Sequence, residues 1–262
     1  MRSISQAVGY SKDGRIIVPK VRQMVDAFSR LNLDHKHLTS GESVTEFARN
    51  LEDYFEERAR VLSNRVESKL MDATQAKAVF DDIRQNSNHR CPIPMNKQKG
   101  NKRAIAFFTG LVNMMIECYS EGLPCNYDPR ELTTITRHRT PLRTMARRVD
   151  GAFPSAVDPI AVWEIKEYYY TTSFGSRIAD GVYETLLDGM EIEELREHED
   201  VSVKHYLMVD GYRTWWRDGK SYLCRIFDML HMGYVDEVLF SREIKLESPA
   251  CADDGPGPAA VA

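Results

Sequence analysis

Between residues 157 and 169 the chain reads VDPIAVWEIKEYY. Six of its first seven residues are apolar or proline, and then Glu164 and Lys166 stand two apart. A charge withdrawn from water is unfavourable unless it is paired or coordinates something. Residues two apart in a strand share a face, so Val162, Glu164 and Lys166 point one way and Trp163 and Ile165 the other. Asp150 lies fourteen residues before Glu164. Antiparallel pairing through a turn over 151–159 would set these two carboxylates side by side. Neighbouring carboxylates repel when both are ionised, unless a cation sits between them. Mg²⁺ takes a few carboxylate oxygens plus water and phosphate, acidifies water and neutralises charge on a scissile phosphate. An ammonium group alongside can hydrogen-bond the attacking water or a phosphate oxygen. Metal-assisted phosphodiester hydrolysis is the chemistry these residues suit.

Positioning such a site takes a sheet. The periodicity predicts a helix over 102–122, strands over 132–136, 142–154 and 161–170, and a helix over 176–199 that contains two glycines. A strand over 203–211, a helix over 220–233 and a strand over 235–244 follow. Three adjacent strands and two later crossovers predict an α/β fold, a mixed central sheet flanked by helices. Upstream, helical patterns over 19–31, 40–70 and 73–85 predict an N-terminal helical module over 1–95. In the second of these, Ser43 and Glu46 have capping-box spacing. NSNHRCPIPMNKQKGN breaks the pattern and sets the boundary with a core over 96–246. The tail over 247–262, rich in Pro, Gly and Ala, is expected to be disordered.

Asp150 followed by Glu164-Ile165-Lys166 resembles the active-site signature of the PD-(D/E)xK nuclease superfamily, which includes many type II restriction endonucleases. The superfamily core runs helix, three strands, helix, strand, the order predicted over 102–211. The resemblance implies a restriction-endonuclease-like core in which Asp150 and Glu164 hold a metal with the carbonyl of Ile165, and Lys166 is the catalytic lysine. It implies Mg²⁺, with Mn²⁺ as a substitute. Acid-x-Lys alone is a poor motif: this chain holds five, at Asp34, Glu67, Glu164, Asp218 and Glu243. Only 164–166 joins a buried-strand context to an upstream acid and a downstream helix. Val149 replaces the motif proline, and the reversed Asp158-Pro159 makes Asp158 the fallback ligand. By the resemblance, Glu117 within the first core helix would correspond to an extra acid of some members. A cross-strand ion pair would use the same residue types at Glu164 and Lys166.

The 262 residues are 42% hydrophobic and 28% charged, with net charge −4. Nucleic-acid binding would therefore need a local patch. RHRTPLRTMARR supplies one, with Arg137, Arg139, Arg143, Arg147 and Arg148 uninterrupted by an acid, and Arg177 follows at the next helix. A second cluster is Lys97, Lys99, Lys102 and Arg103. Thr171, Thr172 and Ser173 precede that helix as candidate phosphate donors or N-caps. The five cysteines form no CxxC pair, and the histidines show no metal-ligand spacing. This predicts reduced thiols in a cytoplasm, neither a disulfide frame nor a zinc site. The resemblance implies a Mg²⁺-dependent DNA endonuclease; with no membrane span and no GxxxxGK[ST] loop, a stand-alone cytoplasmic enzyme is expected. It would be a homodimer acting on double-stranded DNA in restriction or phage defence. The alternatives are a non-catalytic binding protein on the same fold, or an RNA nuclease.

Overall fold

The computed structural model describes residues 1–86, 88–96, 104–170 and 176–246. Lys97, Lys99, Lys102, Arg103, Thr171, Thr172, Ser173 and the expected tail lie outside the described residues. In chain order the elements begin with α1 (Arg2–Val8), the hairpin β1 (Ser11–Lys12) and β2 (Arg15–Ile16), and α2 (Val21–Arg30). A second small hairpin, β3 (Thr39–Ser40) and β4 (Ser43–Val44), leads into α3 (Glu46–Val61) and α4 (Ala73–Asn86). Then come α5 (Phe107–Tyr119), the hairpin β5 (Thr134–Arg137) and β6 (Thr140–Thr144), β7 (Gly151–Phe153) and β8 (Ala161–Glu167). The chain closes with α6 (Ser176–Glu199), β9 (Lys204–Asp210), α7 (Lys220–His231), β10 (Glu237–Phe240) and α8 (Glu243–Leu246).

Four strands form the central sheet in the order β10-β9-β8-β7. β7 is antiparallel to β8, while β8, β9 and β10 run parallel through the crossovers α6 and α7. The α/β class and the mixed sheet follow the expectation. The expected strand over 142–154 does not: it breaks at 145–150, so β5 and β6 pair separately and Asp150 immediately precedes β7. Period 2 sorts the two faces. Trp163, Ile165 and Met208 pack with Phe108 and Val112 of α5. Leu207 and Val209 pack with Ile178 and Val182 of α6 and Leu223 and Phe227 of α7. Val162 meets Ile192 and Leu195 of α6.

The N-cap of α3 is Thr45, whose hydroxyl accepts from Ala48 N at 3.2 Å. Ser43 is taken into β4 instead, which shifts the helix start and leaves Phe47 exposed. α4 packs Ala76 and Phe80 against Phe107 and Leu111 of α5. The N-cap of α5, Ala106, has no side-chain acceptor; Glu167 of β8 takes that role, accepting from Thr109 N and Oγ1 at 3.0 Å each. Cys91, Cys125 and Cys224 are free thiols. Cys118 is disulfide-bonded, a departure from reduced thiols throughout; widely spaced cysteines carry no pairing information. No helix among the described residues is long and apolar enough to cross a membrane.

Candidate active site

β8 holds both ions on its α6 face, with Leu207 and Val209 of β9 in register beside Glu164 and Lys166. Glu164 is 0% exposed and Lys166 6%. Lys166 Nζ donates to Glu164 Oε2 at 2.7 Å and to Glu184 Oε2 at 3.2 Å. Arg147, from the loop between β6 and β7, enters the same cluster. Its Nη1 lies 2.8 Å from Glu164 Oε1 and 2.6 Å from Asp188 Oδ2. Its Nη2 lies 3.2 Å from Glu164 Oε2 and 3.4 Å from Glu184 Oε2. Gly181 lets α6 come this close, because a Cβ there would meet Tyr168 Oη at 2.7 Å and Lys166 Cδ at 3.3 Å.

The charges set each other's state. Burial alone would raise the pKa of Glu164, but Lys166 and Arg147 hold it below the ordinary carboxylate range. Burial works against the Lys166 ammonium, yet Glu164 and Asp150 hold its pKa above the usual lysine value, so it stays charged. For Asp188, burial and the nearby Glu164 prevail over Arg147 and push the carboxyl up to about 7.

Asp150 meets the strand from its open edge. Gly151 is in register with Trp163, which carries Asp150 opposite Glu164. Asp150 N donates to the Trp163 carbonyl at 3.1 Å, and Asp150 Oδ2 accepts from Ile165 N at 2.9 Å. The carboxylate stands in for the strand partner that β8 lacks beyond Gly151. It lies close enough to raise the Lys166 pKa. Asp150 and Glu164 thus flank the segment that carries Lys166, one from the turn before β7 and the other from β8. Asp158, the fallback, is committed elsewhere: its oxygens accept from Thr136 N at 2.6 Å and Thr136 Oγ1 at 2.8 Å, tying the β5–β6 hairpin to the turn before β8. Glu117 belongs to the last turn of α5, on the other face of the sheet, and accepts from Arg90 N and Cys91 N. Its assignment to this site is corrected accordingly.

The basic segment is not free of acids in three dimensions. Arg137 pairs with Glu199 at 3.2 Å, Arg143 with Glu191 at 3.3 Å and with Glu194, and Arg147 as above. The acids come from one stripe of α6 at helical spacing, Glu184, Asp188, Glu191, Glu194 and Glu199. That overturns the expectation of an unbalanced patch, since partners some 40 to 60 residues away are invisible to local reading. Arg139, Arg148 and Arg177 are exposed, and none has an ion-pair partner among the described residues. Tyr168 stacks on Trp215 with ring centroids 5.6 Å apart, and Tyr169 Oη donates to Asp210, so both serve packing. Glu184 and Asp188 are the residues sequence reasoning missed. Their i,i+4 placement on a helix flanking the sheet was the available signal.

The fold and site define a mixed α/β protein with a buried acid–lysine–arginine cluster on the α6 face of its central sheet. The chain belongs to the family described as Domain of unknown function (DUF7687), whose model matches residues 71–254. Residues 1–65 match a second family model, Domain of unknown function (DUF7690). Comparison with curated proteins and with solved structures gave no match.

Proposed function

We propose that this protein is a metal-dependent endodeoxyribonuclease of the PD-(D/E)xK type, with Asp150, Glu164 and Lys166 as its working residues. The observation that carries this reading is that Asp150 stands opposite Glu164 and binds the Ile165 N–H at 2.9 Å, while Glu164 holds the Lys166 ammonium at 2.7 Å. The donor set suits a hard cation: Asp150 and Glu164 offer carboxylate oxygens, and buried Asp188 Oδ1 has no hydrogen-bond donor among the described residues. Asp150, Glu164 and the Ile165 carbonyl would hold Mg²⁺ or Mn²⁺. The ion would acidify water and neutralise charge on the scissile phosphate. Lys166, held protonated, donates to the attacking water or a phosphate oxygen. Arg147 pairs with Glu164 in the free protein and offers its fork of donors to a phosphate once released. Arg139, Arg148 and Arg177 hold the backbone of the strand. Cutting both strands of a duplex calls for two copies.

A second reading has its own observation. Arg147 and Lys166 together neutralise Glu164, as in an inert ion-pair cluster on a binding protein. Plasmid relaxation with Mg²⁺ or Mn²⁺ separates the two. The nuclease reading expects nicking by the native chain that disappears in Asp150→Asn and Lys166→Met while both variants stay folded. An inactive native chain with either metal, or equal nicking by the variants, would sink it. Duplex DNA compared with RNA of the same sequence assigns the substrate.

A further inference from the structure

A different donor set is assembled on the α5 side of the sheet. His89 and Cys91 lie two apart in the segment after α4, and Glu117 lies in the last turn of α5. One ligand atom of each lies within 4.8 Å of the other two. His89 Nδ1 is 3.6 Å from Glu117 Oε2, and the His89 side chain is only 9% exposed. Around a tetrahedral ion with bonds of about 2.0–2.3 Å, ligand atoms stand roughly 3.3–3.8 Å apart. The His–Glu pair already has that spacing.

The carboxylate is also oriented. Arg90 N donates to Glu117 Oε1 at 3.0 Å and Oε2 at 2.9 Å, and Cys91 N donates to Oε2 at 3.0 Å. These bonds fix Glu117 against the loop and set the backbone that presents the Cys91 thiol. Outer-shell bonds of this kind hold metal ligands in place. The half-buried Cys91 thiol and the His89 imidazole both face this carboxylate. Cys125, a second free thiol, lies near enough to act electrostatically on Cys91.

We propose that His89, Cys91 and Glu117 form a binding site for a thiophilic divalent ion of the Zn²⁺ type, separate from the acid–lysine cluster. A nitrogen–sulfur–oxygen set selects zinc-like ions over Mg²⁺, which prefers oxygens only. Binding forms the Cys91 sulfur–metal bond and releases the thiol proton to solvent. Three protein ligands leave a fourth position for water or an outside ligand. His89 and Cys91 also line a cleft of about 260 Å³ with Phe80, Pro92 and Gly110, which gives such a ligand access. The ion would cross-link the segment after α4 to the end of α5.

Titration of the metal-free full chain with Co²⁺, followed by absorption spectroscopy, tests this. The expected result is a sulfur-to-cobalt charge-transfer band that saturates at one equivalent and is bleached by Zn²⁺. Cys91→Ser should abolish the band, and His89→Ala should weaken binding at least tenfold. Asp150→Asn, in the other cluster, should leave both unchanged. A native chain without the band overturns the proposal, as does a band that persists in Cys91→Ser.

Discussion

The Arg147 guanidinium lies 2.8 Å from Glu164, a carboxylate with no exposed surface on the middle strand segment of the sheet. Asp188, equally buried, meets the same guanidinium at 2.6 Å. Arg147 and Lys166 thus balance three acids, Glu164, Glu184 and Asp188, that would otherwise repel. A divalent cation could compensate the same acids, which makes the arginine and a metal alternatives at one place.

Arg147→Ala should therefore destabilise the free protein. Removing one partner of a largely buried pair leaves the other uncompensated, an effect of about 3 kcal/mol. Millimolar Mg²⁺ should restore part of that stability in the variant and add less to the native chain. Thermal denaturation with and without Mg²⁺ reads both; equal Mg²⁺ effects in the two proteins would contradict the exchange.

Asp150→Asn separates charge from structure. The amide oxygen can still accept from Ile165 N, so stability should change by less than about 1 kcal/mol. Any Mg²⁺-dependent cleavage should fall about 100-fold or more, the scale of losing an electrostatic group at a reacting phosphate. Melting temperature and single-turnover cleavage, measured on one preparation, decide it.

Glu167 makes stability pH-dependent. Burial outweighs its bonds to Thr109 and raises its carboxyl from 4.5 to about 7. The folded state then holds a proton that the unfolded chain releases, so this contribution is complete below pH 4.5 and is lost as pH rises through 7. The full span is on the order of 3 kcal/mol. Glu167→Gln keeps an acceptor for Thr109 and should flatten the fall in melting temperature between pH 5 and 8. An unchanged pH profile would refute this assignment.

Gly151 is a packing requirement. A Cβ there would come within 2.1 Å of the Trp163 indole, which is buried under α5. Gly151→Ala should cost about 2 kcal/mol through overpacking. It should also disturb the register that sets Asp150 opposite Glu164, so any Mg²⁺-dependent cleavage should fall with stability in denaturation and activity assays alike.

Charge reversal sorts the arginines. If the proposed nuclease reading holds, replacing Arg139, Arg148 and Arg177 with Glu should weaken duplex binding, with little change in melting temperature. The slope of log affinity against log salt should become shallower by roughly 0.9 for each phosphate that is no longer neutralised. Arg143→Ala should act the other way, loosening the hairpin from Glu191 and Glu194 of α6. Fluorescence anisotropy across a salt series, beside melting curves, distinguishes the groups.

Local pattern was enough for much of the core. Period 2 along 161–167 placed Glu164 and Lys166 on one face of β8, and the long apolar period over 176–199 gave α6 its full extent. These are properties of residues adjacent along the chain, which a sequence carries directly. It also fixed Asp150 as an acid next to a turn, since antiparallel pairing across a short connection is a local event.

Everything that depends on remote segments was decided by packing. The basic segment looks unopposed until α6 lies alongside it, and then Arg137, Arg143 and Arg147 meet acids from a helix that begins beyond the sheet's central strand. Glu117 looks like a site acid until α5 covers the other face and turns it toward His89 and Cys91. The break in the strand over 142–154 has the same origin: Arg147 is drawn from the sheet edge to the buried carboxylates of Glu164 and Asp188. Residue types and spacing determined which strand could carry chemistry. Only the docking of α5 and α6 on opposite faces determined which charges meet, because the strength of an ion pair depends on distance and burial in space and not on separation along the chain.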